Sequence, residues 1–204
     1  MHLSVTTAKS GRINIFADGE YRFTVPSDVW YSHSFHDGDE ITETRLNELK
    51  KDGGLQLAYE SAMRMLSLRS HSKTELKRKL NEKYSPEEVE SALKKCEDYG
   101  FIDDFRFAEN YARELFEYKH FAPARIRTEL LKKGVGRDEI DAALEALSEN
   151  ENLDDGLAAA VEKLHLTYPL TEKDRQRAVR RLVGMGYRFG EIKKVLGEGE
   201  QEAF

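Results

Sequence analysis

The sequence predicts a mainly α protein made of three tandem three-helix repeats in an extended curved array, preceded by a small β-hairpin unit. Three observations carry this prediction. Apolar residues recur at spacings of three and four from Leu55 onward, the helical triplet repeats at an offset of about fifty residues, and an Asp18-Gly19 pair lies between two alternating segments.

The hairpin comes first. In "RINIFADGEYRFTV", residues 12–25, apolar and polar positions alternate on both sides of Asp18-Gly19, whose residue types tolerate the positive φ of a tight turn. "VWYSHSF" reads as a candidate further strand, and Asp52-Gly53-Gly54 reads as a flexible joint that closes an N-terminal unit at residues 1–54.

Beyond the joint the period changes. Ala58, Ala62, Met65 and Leu66 share one face, then Leu76 and Leu80, then Val89, Leu93 and Cys96. Ser72 with Glu75 forms one capping box, and Ser85-Pro86-Glu87-Glu88 forms another with proline at the first helical position. A shift of fifty residues carries Leu76 onto Ile126, Leu80 onto Leu130 and Arg69 onto Lys119. One inserted residue then brings Val89 onto Ile140 and Leu93 onto Leu144. A more diverged third copy places Ala178, Leu182, Ile192 and Leu196 at these positions, giving units at 55–101, 102–150 and 151–204.

The repeat also explains two pairs of carboxylates. Asp103 and Asp104 in "YGFIDDFRFA" precede the first helix of the second unit, whose buried stripe is expected to be Ala108, Tyr111, Ala112, Leu115 and Phe116. Asp154 and Asp155 in "NENLDDGLAA" precede the first helix of the third. A unique acid/base centre has no reason to occur twice. Carboxylates at helix starts accept orphan N–H groups and meet the positive end of the helix dipole, so all four are assigned as caps.

Composition narrows the function classes. Charged residues are 34% of the chain and hydrophobic ones 39%, which supplies small modules better than one large core. No apolar run reaches membrane-span length, and "MHLSVTTAKSGR" lacks signal-peptide order, so the expected location is the cytoplasm. The single Cys96 excludes an internal disulfide framework, and its place on an apolar stripe makes it a packed thiol. The His33/His36 pair falls where a spacing of three does not align side chains, which disfavours a metal site. Neither "KKDGG" nor "RLVGMGY" has the setting of a phosphate loop. No enzymatic chemistry and no cofactor are expected.

Charge is the remaining signal. The net charge of -6 opposes simple capture of nucleic acid, but residues 1–50 hold 5 Lys and Arg against 8 Asp and Glu, whereas residues 164–204 hold 8 against 6. The second helices carry Lys73, Lys77, Arg78 and Lys79 in the first unit, Arg125 and Arg127 in the second, and Arg175, Arg177, Arg180 and Arg181 in the third. With Arg69 they form a candidate basic stripe for a partner or DNA. The competing reading is a solvated surface paired with Glu75, Glu82 and Glu129. Both readings stand at this point.

The segments "LSLRSHSKTELKRKL", "YGFIDDFRFAENYA", "ARIRTELLKKGVGRDEIDAAL" and "RAVRRLVGMGYRFGEIKKVL" together resemble the RecX family of bacterial regulatory proteins over about residues 55–198. The hairpin unit is similar to extensions of some members. His120-Phe121 departs from the small, glycine-containing turn expected there, and the chain is more acidic than a DNA-adhering member suggests. The resemblance implies a non-enzymatic, monomeric modulator of the RecA recombinase that acts in DNA repair, homologous recombination and the SOS response. It implies binding along the groove of the RecA filament on single-stranded DNA, with restraint of growth, ATP hydrolysis and strand exchange. The alternatives are a direct binder of single- or double-stranded DNA and a general helical-repeat scaffold.

Overall fold

The computed structural model describes residues 1–197, so the expected end of the third unit at 204 lies outside the described residues. The chain divides into two compact units, one comprising Met1–Ile102 and a second beginning at Asp103.

The first unit opens with an antiparallel sheet of β1 (Leu3–Thr7), β2 (Ile13–Ala17) and β3 (Glu20–Val25), in that spatial order. The expected hairpin is β2–β3, with Asp18 and Gly19 at φ 51° and 81°, and β1 adds a third strand. Helix α1 (Ser27–Ser32) stands where a further strand was expected. Pro26 precedes Ser27-Asp28 at its start, and the turn buries Trp30, whose ring meets Phe35 at 5.8 Å. The β-forming residue types of "VWYSHSF" were outweighed by this helix-start chemistry.

Helix α2 (Glu43–Leu68) corrects the expected joint. It begins at its Thr42 cap and runs without interruption through Asp52-Gly53-Gly54. Gly53 is buried because β3 crosses it closely, and a Cβ there would collide with Cγ1 of Val25. Glycine here serves close packing rather than flexibility. The N-terminal half of α2 buries Leu46 and Leu49 with Ile13, Ile15 and Val25 of the sheet. Its C-terminal half buries Ala62 with Leu76 and Leu80 of α3 (Lys73–Leu80) and Val89, Leu93 and Cys96 of α4 (Pro86–Asp98). One helix therefore belongs to both the sheet and the first repeat.

The second unit contains α5 (Asp104–Lys119), α6 (Pro123–Lys132) and α7 (Arg137–Asn150), then α8 (Leu153–Glu162), α9 (Glu172–Gly184) and α10 (Phe189–Val195). Ala108, Ala112, Leu115 and Phe116 of α5 are buried, with Tyr111 packed at their margin, against Ile126, Leu130 and Ile140. Full burial of each such leucine or isoleucine contributes about 1.5–3 kcal/mol. In the third repeat Ala178 and Leu182 of α9 face Ile192 and Leu196, beside Leu157 and Ala160 of α8.

The His120-Phe121 departure joins these last two repeats. His120 ends α5 in the left-handed region at φ 54°, a conformation histidine tolerates better than most side chains. The chain then turns so that the Ala122 N–H donates to Met185 O at 2.9 Å, while Tyr187 Oη donates to His120 O at 2.9 Å. Burial pushes the Tyr187 hydroxyl up to about 12, so it remains a protonated donor at neutral pH.

Candidate functional site

Of the four carboxylates expected to be caps, Asp103 is one, and Asp104, Asp154 and Asp155 lie inside the first turns of their helices. Asp103 caps α5 by accepting from Arg106 N at 2.9 Å, and Asp104 is the first residue of the helix. At α8 the cap is Asn152, which accepts from Asp154 N at 3.2 Å, so Asp154 and Asp155 do not precede the helix but lie inside its first turn. There they meet the helix dipole without receiving the cap bond. In the first repeat Ser72 accepts from Glu75 N at 3.1 Å, and Ser85 and Glu88 exchange both bonds of a capping box.

No cluster of three or more His, Cys, Asp or Glu side chains is arranged to hold a metal ion among the described residues. His33 Nε2 lies 2.9 Å from Asp52 Oδ2, whereas the exposed His36 faces Asp39 at 3.8 Å. Burial pushes the Cys96 thiol up to about 11, the state of a packed and unreactive sulfur. No helix is long and apolar enough to cross a membrane among the described residues.

The basic residues divide by repeat. Arg69 holds Glu75 through two parallel bonds, Nη1 to Oε2 at 3.0 Å and Nη2 to Oε1 at 2.8 Å, and the Glu75 side chain is only 6% exposed. This guanidinium is the counter-ion of a buried carboxylate, while about half of its own side chain stays exposed. Lys73 meets Glu97 at 2.7 Å and Lys77 meets Glu90 at 3.1 Å, across from α3 to α4. In the second repeat Arg125 pairs with Glu129 at 2.8 Å and Arg127 with Asp141. Arg78 is exposed with no ion pair among the described residues.

Helix α9 differs. Its Ala178 and Leu182 are buried, which leaves Arg177, Arg180 and Arg181 on the exposed side. None of the three forms an ion pair among the described residues; Arg180 Nε donates to Gln176 O at 3.4 Å. Arg175, half-buried, donates through Nη1 to Gly197 O at 2.6 Å. The carboxylate supply explains the contrast. Glu129, which holds Arg125, corresponds to Arg181 in the third repeat; Glu90 and Asp141 correspond to Lys193, and the Lys77 and Arg127 that they hold correspond to Val179, while Glu191 is committed to the Arg188 N–H at 2.9 Å.

Arg177 and Arg181 also line a concavity of about 480 Å³ with Leu164, His165, Leu166, Thr167, Asp174 and Ala178. Sequence reading placed the arginines on α9 but missed the opposite wall. Residues 164–167 carry no motif, and their position depends on His165 turning the chain at φ 48° after α8.

The chain is similar to known regulatory proteins along most of its length. Residues 58–96 match the family profile described as RecX, first three-helix domain, and residues 103–144 match RecX, second three-helix domain. A "Regulatory protein RecX" from Bacillus velezensis is 30% identical over 202 residues, covering 98% of this chain and 77% of the relative. One from Clostridium botulinum is 26% identical over 200 residues, covering 96% and 93%. A solved structure described as "Crystal structure of regulatory protein RecX" superposes with a TM-score of 0.66 at 25% identity, covering 95% of this chain and 96% of that one.

Proposed function

The chain belongs to the RecX family of regulatory proteins, and from that membership we propose that it binds the RecA filament assembled on single-stranded DNA and restrains its growth, ATP hydrolysis and strand exchange. It acts in this reading as a cytoplasmic monomer in DNA repair, homologous recombination and the SOS response. The observation that carries the site is the set of exposed cations on α9, Arg177, Arg180 and Arg181, left without ion-pair partners among the described residues. Tandem repeats suit a polymeric partner, because several modules engage neighbouring protomers at once. A net charge of -6 favours protein contacts over bare DNA as the main source of affinity.

Each charge-assisted contact of an arginine fork contributes about 1.5–3 kcal/mol before solvent screening reduces it. Reversal of Arg177, Arg180 and Arg181 to glutamate is therefore expected to weaken association with a RecA–DNA filament at least tenfold and to flatten its salt dependence. Circular dichroism should remain that of the parent. Filament binding and ATPase restraint that survive the triple reversal would remove α9 from the mechanism. A parallel loss on bare single-stranded DNA, from an affinity already strong at physiological salt, would favour direct DNA binding.

A further inference from the structure

The concavity beside α9 has a chemistry that a filament surface alone does not require. One wall carries the Arg177 and Arg181 guanidiniums, four residues apart and so on the same side of the helix, with no ion-pair partner among the described residues. The other wall comes from the segment after α8, where Leu164 and Leu166 are half-buried and His165 and Thr167 are exposed. Asp174 stands on the same wall as the arginines, three residues before Arg177 on α9. Its Oδ2 accepts from Thr171 Oγ1 at 2.6 Å, and Oδ1 has no partner among the described residues.

Each wall selects against a simpler ligand. Two arginine forks suit a phosphate, but the volume of about 480 Å³ lies in the range of small-molecule sites and far exceeds what a bare phosphate fills. Asp174 repels an anion occupying the whole space, yet its carboxylate can accept from an amino or hydroxyl group. The leucines and the His165 ring offer a surface on which a flat heterocycle can lie. A carboxylate side chain of a partner would satisfy the arginines and leave the apolar wall and Asp174 unused. We propose that this cleft binds a nucleoside phosphate, with the phosphate between Arg177 and Arg181 and the base against Leu164, His165 and Leu166. The source is either a free nucleotide or one residue of a single strand.

This deepens the filament reading, since Arg177 and Arg181 serve both, but the two fail separately. A titration of the full chain with deoxyadenosine monophosphate, followed by amide NMR, contains no RecA. The nucleotide should shift signals of residues 164–167 and 174–181, and Arg177→Gln with Arg181→Gln should weaken it at least tenfold. The equal charge loss of Lys193→Gln with Lys194→Gln on the neighbouring α10 should change it less than twofold. Inorganic phosphate should bind at least tenfold more weakly than the nucleotide. Thr167→Phe, which narrows the cleft and keeps both arginines, should also weaken the nucleotide, and it preserves the test if the arginine variant fails to fold.

A short oligothymidylate that competes with the nucleotide and binds more tightly identifies a strand residue as the occupant; one that does not compete identifies a free nucleotide. Equal weakening by the two double variants, phosphate binding as tightly as the nucleotide, or displacement by an acidic peptide of higher affinity would overturn the proposal. Arg180 does not line the cleft, so Arg180→Gln, which adds no carboxylate beside Arg177, should weaken filament association while leaving the nucleotide titration unchanged. Loss of the nucleotide site with filament association intact would overturn the cleft alone.

Discussion

Helix α3 of the first repeat and α9 of the third occupy the same place in their units, with Leu76 and Leu80 buried in one and Ala178 and Leu182 in the other, but their cations face different neighbours. Lys73 and Lys77 look across to Glu97 and Glu90 of α4, and Arg69 grips Glu75. On α9 the arginines face solvent and an open cleft, and the position of Glu90 is taken by Lys193. A shared scaffold therefore sets where a cation stands, while the residues at several facing positions, on the same helix as Glu129 is and on the next as Glu90 and Glu97 are, set whether it is neutralised. A neutralised lysine must exchange its partner before it can bind another. An unpaired arginine has no such competition.

The largest test of this contrast removes the guanidinium that the first repeat uses internally. Arg69→Ala strips the buried Glu75 of its bidentate partner and is expected to cost about 1.5–3 kcal/mol in denaturant unfolding, toward the lower end because Arg69 is itself half exposed. Filament association of the folded variant should change less than twofold. A stable variant with lost binding would place Arg69 on the binding surface.

The next effect compares the entries to the second and third repeats. Asp103→Ala with Asp104→Ala removes a true cap and should cost on the order of 1–2 kcal/mol. Asp154→Ala with Asp155→Ala removes only charges near a helix dipole, each worth about 0.3–1 kcal/mol, because Asn152 retains the cap bond. Equal losses of thermal stability in the two variants would show that charge, not capping, supports both helices.

A smaller change converts the third repeat toward the pattern of the first. Lys193→Glu places a carboxylate at the position of Glu90 and Asp141, and although Val179 stands where those two find Lys77 and Arg127, the reversed charge beside α9 should weaken filament association about two- to fivefold, the range that a surface charge interaction spans. Unchanged or tighter association would mean that the α9 cations do not act through their free charge.

The smallest effect is a pH dependence confined to the first repeat. Burial holds the His71 pKa below its ordinary 6.5, against the bond from its ring to Arg69 O at 2.9 Å and the pull of Glu75; the charges of Arg69 and Lys79 lower it further. A neutral ring donating through Nδ1 and accepting from Lys79 Nζ at Nε2, 3.2 Å away, fits both contacts. Because the folded value is depressed, the unfolded chain binds the extra proton first. Stability should fall as pH drops below about 6.5, and His71→Gln should flatten that slope in urea midpoints measured from pH 7.5 to 5.5.

Much of the fold was legible because it is written in local chemistry. The Asp18-Gly19 turn, the Ser72 and Ser85 caps and the three-and-four spacing of Leu76, Leu80, Val89 and Leu93 act over a few residues, and the structure contains each. The errors arose where local preference met a distant neighbour. Gly53 has the composition of a joint, yet β3 lies so close that only glycine fits within the continuous α2. Asp154 and Asp155 repeat the appearance of Asp103 and Asp104, but Asn152 arrives first and takes the cap.

By itself the sequence determined the three-helix repeat, its recurrence and the placement of cations on the second helix of each copy, since periodicity and charge follow directly from residue order. Tertiary structure alone decided which of those cations are spent. Glu75 comes to lie against Arg69, Glu90 against Lys77 and Asp141 against Arg127 only after the helices pack, and the 164–167 segment reaches the Arg177 and Arg181 wall only through the turn at His165. Coulomb attraction depends on distance through space, and in a helical repeat most of that distance is set by packing between segments that the chain order keeps apart.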